Sequence, residues 1–138
     1  MDDEQVDREL GVAFGELVAA VRGMKQVVWT APRGPLYDAV DAMLQFLVAQ
    51  TVAVADAEAA IGGRSPDLVS PSAHETMNVI ADAGGSTEAV LEMVDERGRE
   101  LANDMRKRAA KVAGSDAATL FTGIADGLDE HLDALAAI

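Results

Sequence analysis

Helix-breaking residues divide this chain into four long segments and a connection between the second and the third. Proline lacks the backbone donor that a helix interior needs, and glycine favours turns, so clusters of these residues mark the ends of helices. No run alternates polar and apolar residues between hairpin-turn signals, so strands are not indicated. The pattern predicts an all-α fold of four long helices. The breaks are Ala31-Pro32-Arg33-Gly34-Pro35, Gly62-Gly63-Arg64-Ser65-Pro66, Gly84-Gly85 and Gly114-Ser115.

The long segments repeat apolar residues at the alternating three and four spacing of one helical face. We predict the first helix from about Asp3 to Val28, the second from Pro35 to Ala60, the third from Ser86 or Thr87, and the fourth from Asp116 onward. A chain of 138 residues has the size of one domain, so we expect residues 1–138 to share one core. The predicted core stripes are Phe14, Leu17, Val21, Met24 and Val28; Leu91, Val94, Gly98, Leu101, Met105 and Val112; and Phe121, Ile124, Leu128, His131, Leu135 and Ile138.

The second segment is apolar on nearly every side. Between Val40 and Ala55 only Asp41, Gln45, Gln50 and Thr51 are polar. A helix of this kind must be covered on more than one side, either at the centre of a bundle or in a dimer contact. We therefore predict a homodimer through the second helix. Its uncharged stretch, from Ala42 to Ala55, is too short to span a bilayer.

The connection between the second and third helices, about Gly62 to Gly85, is longer than adjacent antiparallel helices require. Ser72 and Glu75 fit a capping box that opens a short extra helix to about Ala83. A connection of roughly 24 residues is long enough to run back along the bundle for the full length of a long helix. The sequence therefore predicts a four-helix bundle with a long crossover, which is the topology of ferritin-like bundles.

This helix order resembles the ferritin-like superfamily, and its rubrerythrin and ribonucleotide-reductase-like branches in particular. The residues that carry the resemblance are Ala13-Phe14-Gly15-Glu16 in the first helix, and Leu120-Phe121 with Asp129-Glu130-His131-Leu132 in the last. The resemblance implies two metal ions, iron or another divalent metal, held by four carboxylates and two imidazoles, with a Glu-x-x-His motif on each of two helices. This chain departs from that pattern. Leu128 stands three positions before His131, the second helix has no histidine, and His74 falls in the short helix. The resemblance therefore implies a degenerate or absent di-metal site.

Two interpretations of His131 stay open. An imidazole on an apolar stripe is either a metal ligand or a half-buried histidine bonded to one carboxylate. As a ligand it requires carboxylates from other helices. The candidates are Glu16 on the first helix and Glu92, Asp95 and Glu96 on the third.

Other polar and small residues have simpler interpretations. Glu16 and Glu58 could each face inward, but the simpler interpretation is a boundary carboxylate that reaches solvent along its own stem. The ridge Glu88, Glu92, Glu96 and Glu100 could bind cations loosely, but we expect a solvated face paired in part with Arg99 and Arg108. The glycine pairs Gly11 with Gly15 and Gly123 with Gly127 indicate either that the first and last helices approach closely or that these positions are exposed and merely tolerate glycine.

Composition excludes several function classes. The 24 acidic and 11 basic residues give a net charge of −13, which repels nucleic acid and anionic membranes. Cysteine is absent, so thiol chemistry is excluded. The sequence contains neither a nucleophile elbow nor a glycine-rich phosphate loop, so no motif in it indicates catalysis. The acidic start of the chain lacks a secretory signal and favours the cytoplasm.

Two functional hypotheses follow. The first is a ferritin-like homodimer with a degenerate metal site, in which any metal is bound near His131. The second is a non-catalytic interaction or scaffold protein that binds a partner helix or an apolar ligand. Its binding surface would be the apolar face of the second helix around Phe46, Leu47, Val52 and Val54.

Overall fold

The fold is that of a four-helix bundle. The computed structural model describes residues 3–31, 33–62 and 87–138. Over these ranges the chain forms four α-helices, α1 (Asp3–Thr30), α2 (Pro35–Ala60), α3 (Thr87–Lys111) and α4 (Asp116–Ala136). These bounds agree with the predicted boundaries to within two residues and confirm the all-α fold. The predicted short helix, with Ser72, His74 and Glu75, lies outside the described residues.

Local chemistry explains the helix ends. Gly34 has a φ of 130°, in the region that favours glycine, and Pro35 occupies the start of α2, where its missing N–H needs no partner. Gly114 has a φ of 89° between α3 and α4. The Ser115 hydroxyl then caps α4 by accepting a hydrogen bond from the Ala118 backbone at 3.2 Å. These devices set two of the three helix connections.

The helix packing establishes the crossover. α1 packs along α2, α3 packs along α4, α2 also packs along α4, and α1 contacts α3 more loosely. A short turn joins α1 to α2, so these two helices are antiparallel. The Gln5 side chain donates to the Lys111 carbonyl at 3.3 Å, placing the start of α1 beside the end of α3. Because α2 and α3 both run antiparallel to α1, they run parallel to each other, and the connection between them joins opposite ends of the bundle.

The core is a single cluster of aliphatic side chains from all four helices, with Phe121 fully buried among them. Most of the predicted core positions are buried, but several are more exposed than the stripes predict. Phe14, Val21, Leu91, Leu101 and His131 are only half-buried. Ile138 is 61% exposed, so its place in the core stripe was wrong, because α4 ends at Ala136. The fully buried Leu132 lies on the inner face of α4 instead.

Candidate functional site

The main buried polar site of the described residues is an ion-pair cluster between α1 and α3. Arg108 Nη1 donates to Glu9 Oε1 at 3.2 Å, and Arg108 Nη2 donates to Glu16 Oε1. The side chains of Arg108, Glu9 and Glu16 are 13%, 9% and 11% exposed. Lys111 adds a weaker contact, with its Nζ atom 4.0 Å from Glu9 Oε1. One guanidinium therefore serves two carboxylates within the bundle.

The Glu16 side chain is only 11% exposed and pairs with Arg108 between α1 and α3, in contrast to its interpretation as a boundary carboxylate that reaches solvent. Burial raises the pKa of the Glu16 carboxyl, and the negative charge of Asp104 adds to the rise, whereas Arg108 opposes it. Its second oxygen, Oε2, is buried and has no hydrogen-bond partner among the residues that the structure describes. Glu16 is thus a carboxyl with one oxygen paired and one oxygen available.

Glu58 on α2 is also buried, with 3% of its surface exposed, so its interpretation as a boundary carboxylate was wrong too. A Cβ at Gly11 would lie 3.3 Å from Glu58 Oε2. Gly11 therefore leaves room for a side chain of α2. Gly127 of α4 likewise leaves room for the Phe46 ring of α2. The predicted close approach of the first and last helices was wrong, because α1 and α4 are not packed side by side.

His131 faces α2. Its ring lies against that of Phe46, with the ring centroids 4.9 Å apart and the planes tilted by 42°. Glu92, Asp95 and Glu96 are exposed on α3. Among residues 3–31, 33–62 and 87–138, no group of three or more His, Asp and Glu side chains is arranged to hold a metal ion. The structure therefore does not bring the five predicted ligands together.

Arg99 and Arg106 of α3 bind acidic residues of α4. Arg99 binds Asp95 on its own helix and Asp129 and Asp133 of α4, the last two at 3.0 and 2.8 Å. Arg106 binds Asp126 and Asp129. The hydrogen bond from Arg106 is the main reason that the pKa of Asp129 is lowered.

These contacts correct one prediction about the acidic ridge. Arg108 pairs with α1 and not with the glutamates of its own helix. Arg99 pairs with Asp95, which adjoins the ridge on α3, but its other two partners are on α4. The ion pairs therefore connect helices more than they neutralise the ridge.

The outer face of α2 is mostly apolar, and none of the other described helices covers it. A stripe of exposed residues follows the three and four spacing of a helix seam, and we call it the α2 stripe. It contains no Lys or Arg. Leu47 and Val54 are fully buried, so their predicted place on a binding surface was wrong, whereas Val52 is 56% exposed. The stripe consists of Ala42, Gln45, Ala49, Val52, Asp56 and Ala59.

α2 is the one described helix that is long and apolar enough to cross a membrane, judged by length and composition alone. The core helix of a soluble protein passes the same test. Val40, Leu47 and Val54 of α2 have no exposed surface, and Glu58 is buried beside α1. These contacts fit a bundle helix that is covered by α1 and α4 on its inner side.

Comparisons with known proteins give the fold. No protein-family model matches the sequence. No curated protein matches it either. Among solved structures, a mutant of Dps1 from Mycobacterium smegmatis superposes with a TM-score of 0.72 at 19% sequence identity, covering 99% of this chain and 98% of that one. Dps1 is a ferritin-like four-helix bundle. The superposition spans nearly every residue of both chains, and this chain therefore has the ferritin-like four-helix-bundle fold.

Proposed function

We propose that this chain is a non-catalytic ferritin-like bundle that assembles through α2, and that Arg108 takes the electrostatic role that metal ions have in the metal-binding bundles of this fold. In those bundles, carboxylates that project inward from facing helices are neutralised by two metal ions. Here the buried carboxylates of Glu9 and Glu16 share one guanidinium. This shared contact is the observation that supports the proposal.

The donor set of this cluster does not fit a di-metal centre. Arg108 carries a permanent positive charge, which repels a metal cation at short range in a poorly solvated site. A metal ion would have to displace the guanidinium and leave it buried without its partners, which is unfavourable. No imidazole joins the cluster within the described residues, since His131 lies against Phe46. We therefore derive no oxygen or iron chemistry for this chain.

Metal analysis of the wild-type protein, purified without chelator, tests this part of the proposal. We expect no stoichiometric iron, manganese or zinc, and no heat of binding when these ions are titrated. The Arg108→Met variant removes the fixed cation and should bind divalent metal more tightly than wild type. Stoichiometric metal in wild type that is lost in His131→Ala would instead establish the site predicted from the sequence, and Gln26→Ala on the exposed part of α1 is the matched control.

The second part of the proposal is that two copies pair through the α2 stripe. Small side chains at Ala42, Ala49 and Ala59 let two helices approach closely along a seam of three and four spacing. The stripe extends over 18 residues, from Ala42 to Ala59, so the seam is about 27 Å long at 1.5 Å per residue. A two-fold dimer uses the same patch on both subunits, and the alanine, valine and glutamine side chains of the stripe are compatible with themselves.

The charges of the stripe favour an antiparallel pair that crosses near Ala49. In that arrangement Asp56 of one copy faces Ala42 of the other. A parallel pair would place Asp38 beside Asp38 and Asp56 beside Asp56, which is unfavourable for like charges. Since α2 contains no Lys or Arg, no cation would offset that repulsion.

Sedimentation equilibrium tests the assembly. We expect a mass of twice the 14.4 kDa chain for wild type. Ala49→Glu should convert the protein to monomers, because it places two carboxylates at the crossing point. Thr122→Glu introduces the same charge on an exposed position of α4 and should leave the dimer intact. A wild type that stays monomeric at micromolar concentrations, or an Ala49→Glu variant that stays dimeric, contradicts the proposal. If wild type is monomeric, the α2 stripe would have to bind a helix of a different protein.

A further inference from the structure

Trp29 is the one tryptophan of the chain, and it is 90% exposed near the end of α1. Such exposure is unusual, because tryptophan is highly buried on average and a covered indole removes roughly 150–250 Å² from water. Lys25 and Arg22 lie one and two turns before Trp29 on the same exposed face of the helix, and Arg33 lies in the turn after α1. We call these four residues the Trp29 patch.

The Trp29 patch is a basic surface on an acidic protein. The chain has a net charge of −13, yet its sequence contains no Asp or Glu between Glu16 and Asp38. Arg33 is positioned by Tyr37, with the guanidinium carbon 4.3 Å from the centre of the ring. Tryptophan and arginine are enriched at the centres of protein interfaces. The patch therefore fits a partner surface that offers an apolar groove with an acidic rim.

A groove between the start of α3 and the end of α4, which we call the α3–α4 groove, has an apolar lining. Its volume is about 750 Å³. Clefts that hold small organic molecules have volumes of roughly 300–1,000 Å³, so an indole ring fits in a groove of this size. Ile138 is 61% exposed, so part of the apolar lining is accessible to a partner. The apolar residues that line the groove are Leu91, Leu132, Leu135, Ala136 and Ile138.

The rim of the α3–α4 groove is acidic. Glu88, Glu92 and Asp95 line it from α3, and all three are exposed. Arg99 also lines the groove, but Asp95 and two aspartates of α4 bind its guanidinium. Glu88 and Glu92 are therefore the charges with which a basic partner can pair.

We infer that Trp29 of one copy inserts into the α3–α4 groove of a second copy, with the basic residues of its patch against Glu88 and Glu92. Trp29 does not occupy the groove of its own chain, since it is 90% exposed. Charge complementarity identifies the partner. Two copies of a protein with a net charge of −13 repel each other in most orientations, and this orientation places the basic surface of one copy on an acidic surface of the other.

This contact differs from the pairing through α2. The Trp29 patch and the α3–α4 groove are different surfaces, so each copy binds one neighbour through its patch and another through its groove. The contact uses no residue of the α2 stripe. It centres on one aromatic side chain, so it should be weaker than the α2 pairing and should form between micromolar and millimolar concentrations.

The fluorescence of wild-type protein tests this inference, because Trp29 is the one tryptophan and reports its own burial. As the concentration rises through this range, we expect the emission to shift to shorter wavelength and quenching by acrylamide to decrease. The mass from sedimentation equilibrium should rise above that of the dimer over the same range. Emission that remains that of an exposed indole up to millimolar protein overturns the inference.

Variants test the patch and the groove separately. Trp29→Ala should weaken the association by at least about tenfold, as truncation of an interface hot spot does. Val12→Ala shortens another exposed apolar side chain of α1 and is the matched control, which should leave the association unchanged. Glu88→Lys with Glu92→Lys reverses the charge of the rim and should prevent the shift of Trp29 emission. A shift that persists in this rim variant shows that Trp29 binds elsewhere and overturns the inference.

Mixing two variants tests the pairing of charges directly. The patch variant, Arg22→Glu with Lys25→Glu, has an acidic patch and an acidic groove, whereas the rim variant has a basic patch and a basic rim. Neither should associate beyond the α2 dimer alone. An equimolar mixture should associate, because the acidic patch of one variant matches the basic rim of the other and the unchanged surfaces match as well. A mixture that stays dissociated overturns the inference.

The Ala49→Glu variant separates this contact from the α2 dimer. It should retain the concentration-dependent shift of Trp29 emission, because Ala49 lies on the α2 stripe and not on the Trp29 patch. A shift that is lost together with the α2 dimer would assign the burial of Trp29 to that dimer and overturns the inference.

Discussion

The ring of Phe46 on α2 occupies the space into which a side chain at Gly127 of α4 would project. A Cβ at Gly127 would lie 2.3 Å from Phe46 Cζ and 2.5 Å from Phe46 Cε1. Both distances are shorter than nonbonded atoms tolerate, so the ring would have to move away from α4 and from its contact with His131. Gly127→Ala should therefore lower the free energy of unfolding by about 1–3 kcal/mol, the usual cost of overpacking. Urea denaturation measures it.

Two further variants show whether the Phe46 ring causes this loss. Gly123→Ala is the matched control, because a Cβ there meets nothing within 4 Å and alanine favours helix over glycine by up to about 1 kcal/mol. It should stabilise the protein. Phe46→Leu removes the ring and should recover much of the stability in the Gly127→Ala background. If Gly127→Ala stabilises the protein as much as Gly123→Ala does, the close packing of α2 and α4 at this point is wrong.

The Arg108 cluster predicts a second stability effect. Arg108→Met removes the cation from two carboxylates whose side chains are 9% and 11% exposed. Breaking a buried ion pair from one side typically costs about 3–5 kcal/mol, because the remaining charge is buried without compensation. We expect a loss in this range at pH 7, measured by urea denaturation. Lys107→Met, at an exposed neighbouring position, should change stability by less than about 0.5 kcal/mol.

Neutralising the carboxylates tests the origin of that loss. The triple variant Arg108→Met, Glu9→Gln, Glu16→Gln leaves no buried charge in the cluster and should recover part of the stability. A triple variant that is less stable than Arg108→Met would show that the hydrogen bonds of the carboxylates matter more than their charges.

The sequence predicts the helices well because the signals for them are local. Pro35 and Ser115 mark the starts of α2 and α4, and each acts through its own backbone and the next few residues. The length of the connection after α2 is also visible in the sequence, and it determines the parallel arrangement of α2 and α3. Helix boundaries and connection lengths can therefore be predicted without knowing which side chains contact each other.

The buried cluster could not be predicted in the same way. Arg108 is separated by 99 residues from Glu9 and by 92 from Glu16, so no local spacing connects them. One signal was present. Glu9 and Glu16 are seven positions apart and therefore share a helical face, next to Leu10 and Leu17. A pair of acids on an apolar face indicates a buried cation, but which helix supplies it depends on the rotation of α3.

Glu16 should make stability depend on pH in a specific direction. Its folded-state pKa lies above the ordinary value of 4.5. The folded protein therefore holds this proton more tightly than the unfolded chain does, and the contribution to stability is complete below pH 4.5 and decreases as the pH rises through the folded-state pKa. The free energy of unfolding of wild type, minus that of Glu16→Gln, should fall across this window. Urea denaturation at intervals of pH measures the difference, and a difference that rises with pH contradicts the assignment.

Asp129 should show the opposite pH dependence, because Arg106 and Arg99 lower its pKa below the ordinary value of 3.8. Its contribution to stability is present above that value and is lost as the pH falls through the folded-state pKa. Asp129→Asn should therefore be less stable than wild type at pH 7 and equal to it in strong acid. Glu130→Gln, at the exposed neighbouring position, should show no such convergence. Since the pairs are partly exposed, 1 M salt should also reduce the difference at pH 7. A difference that persists in acid and in salt would mean that Asp129 stabilises the α3–α4 contact by packing and not by charge.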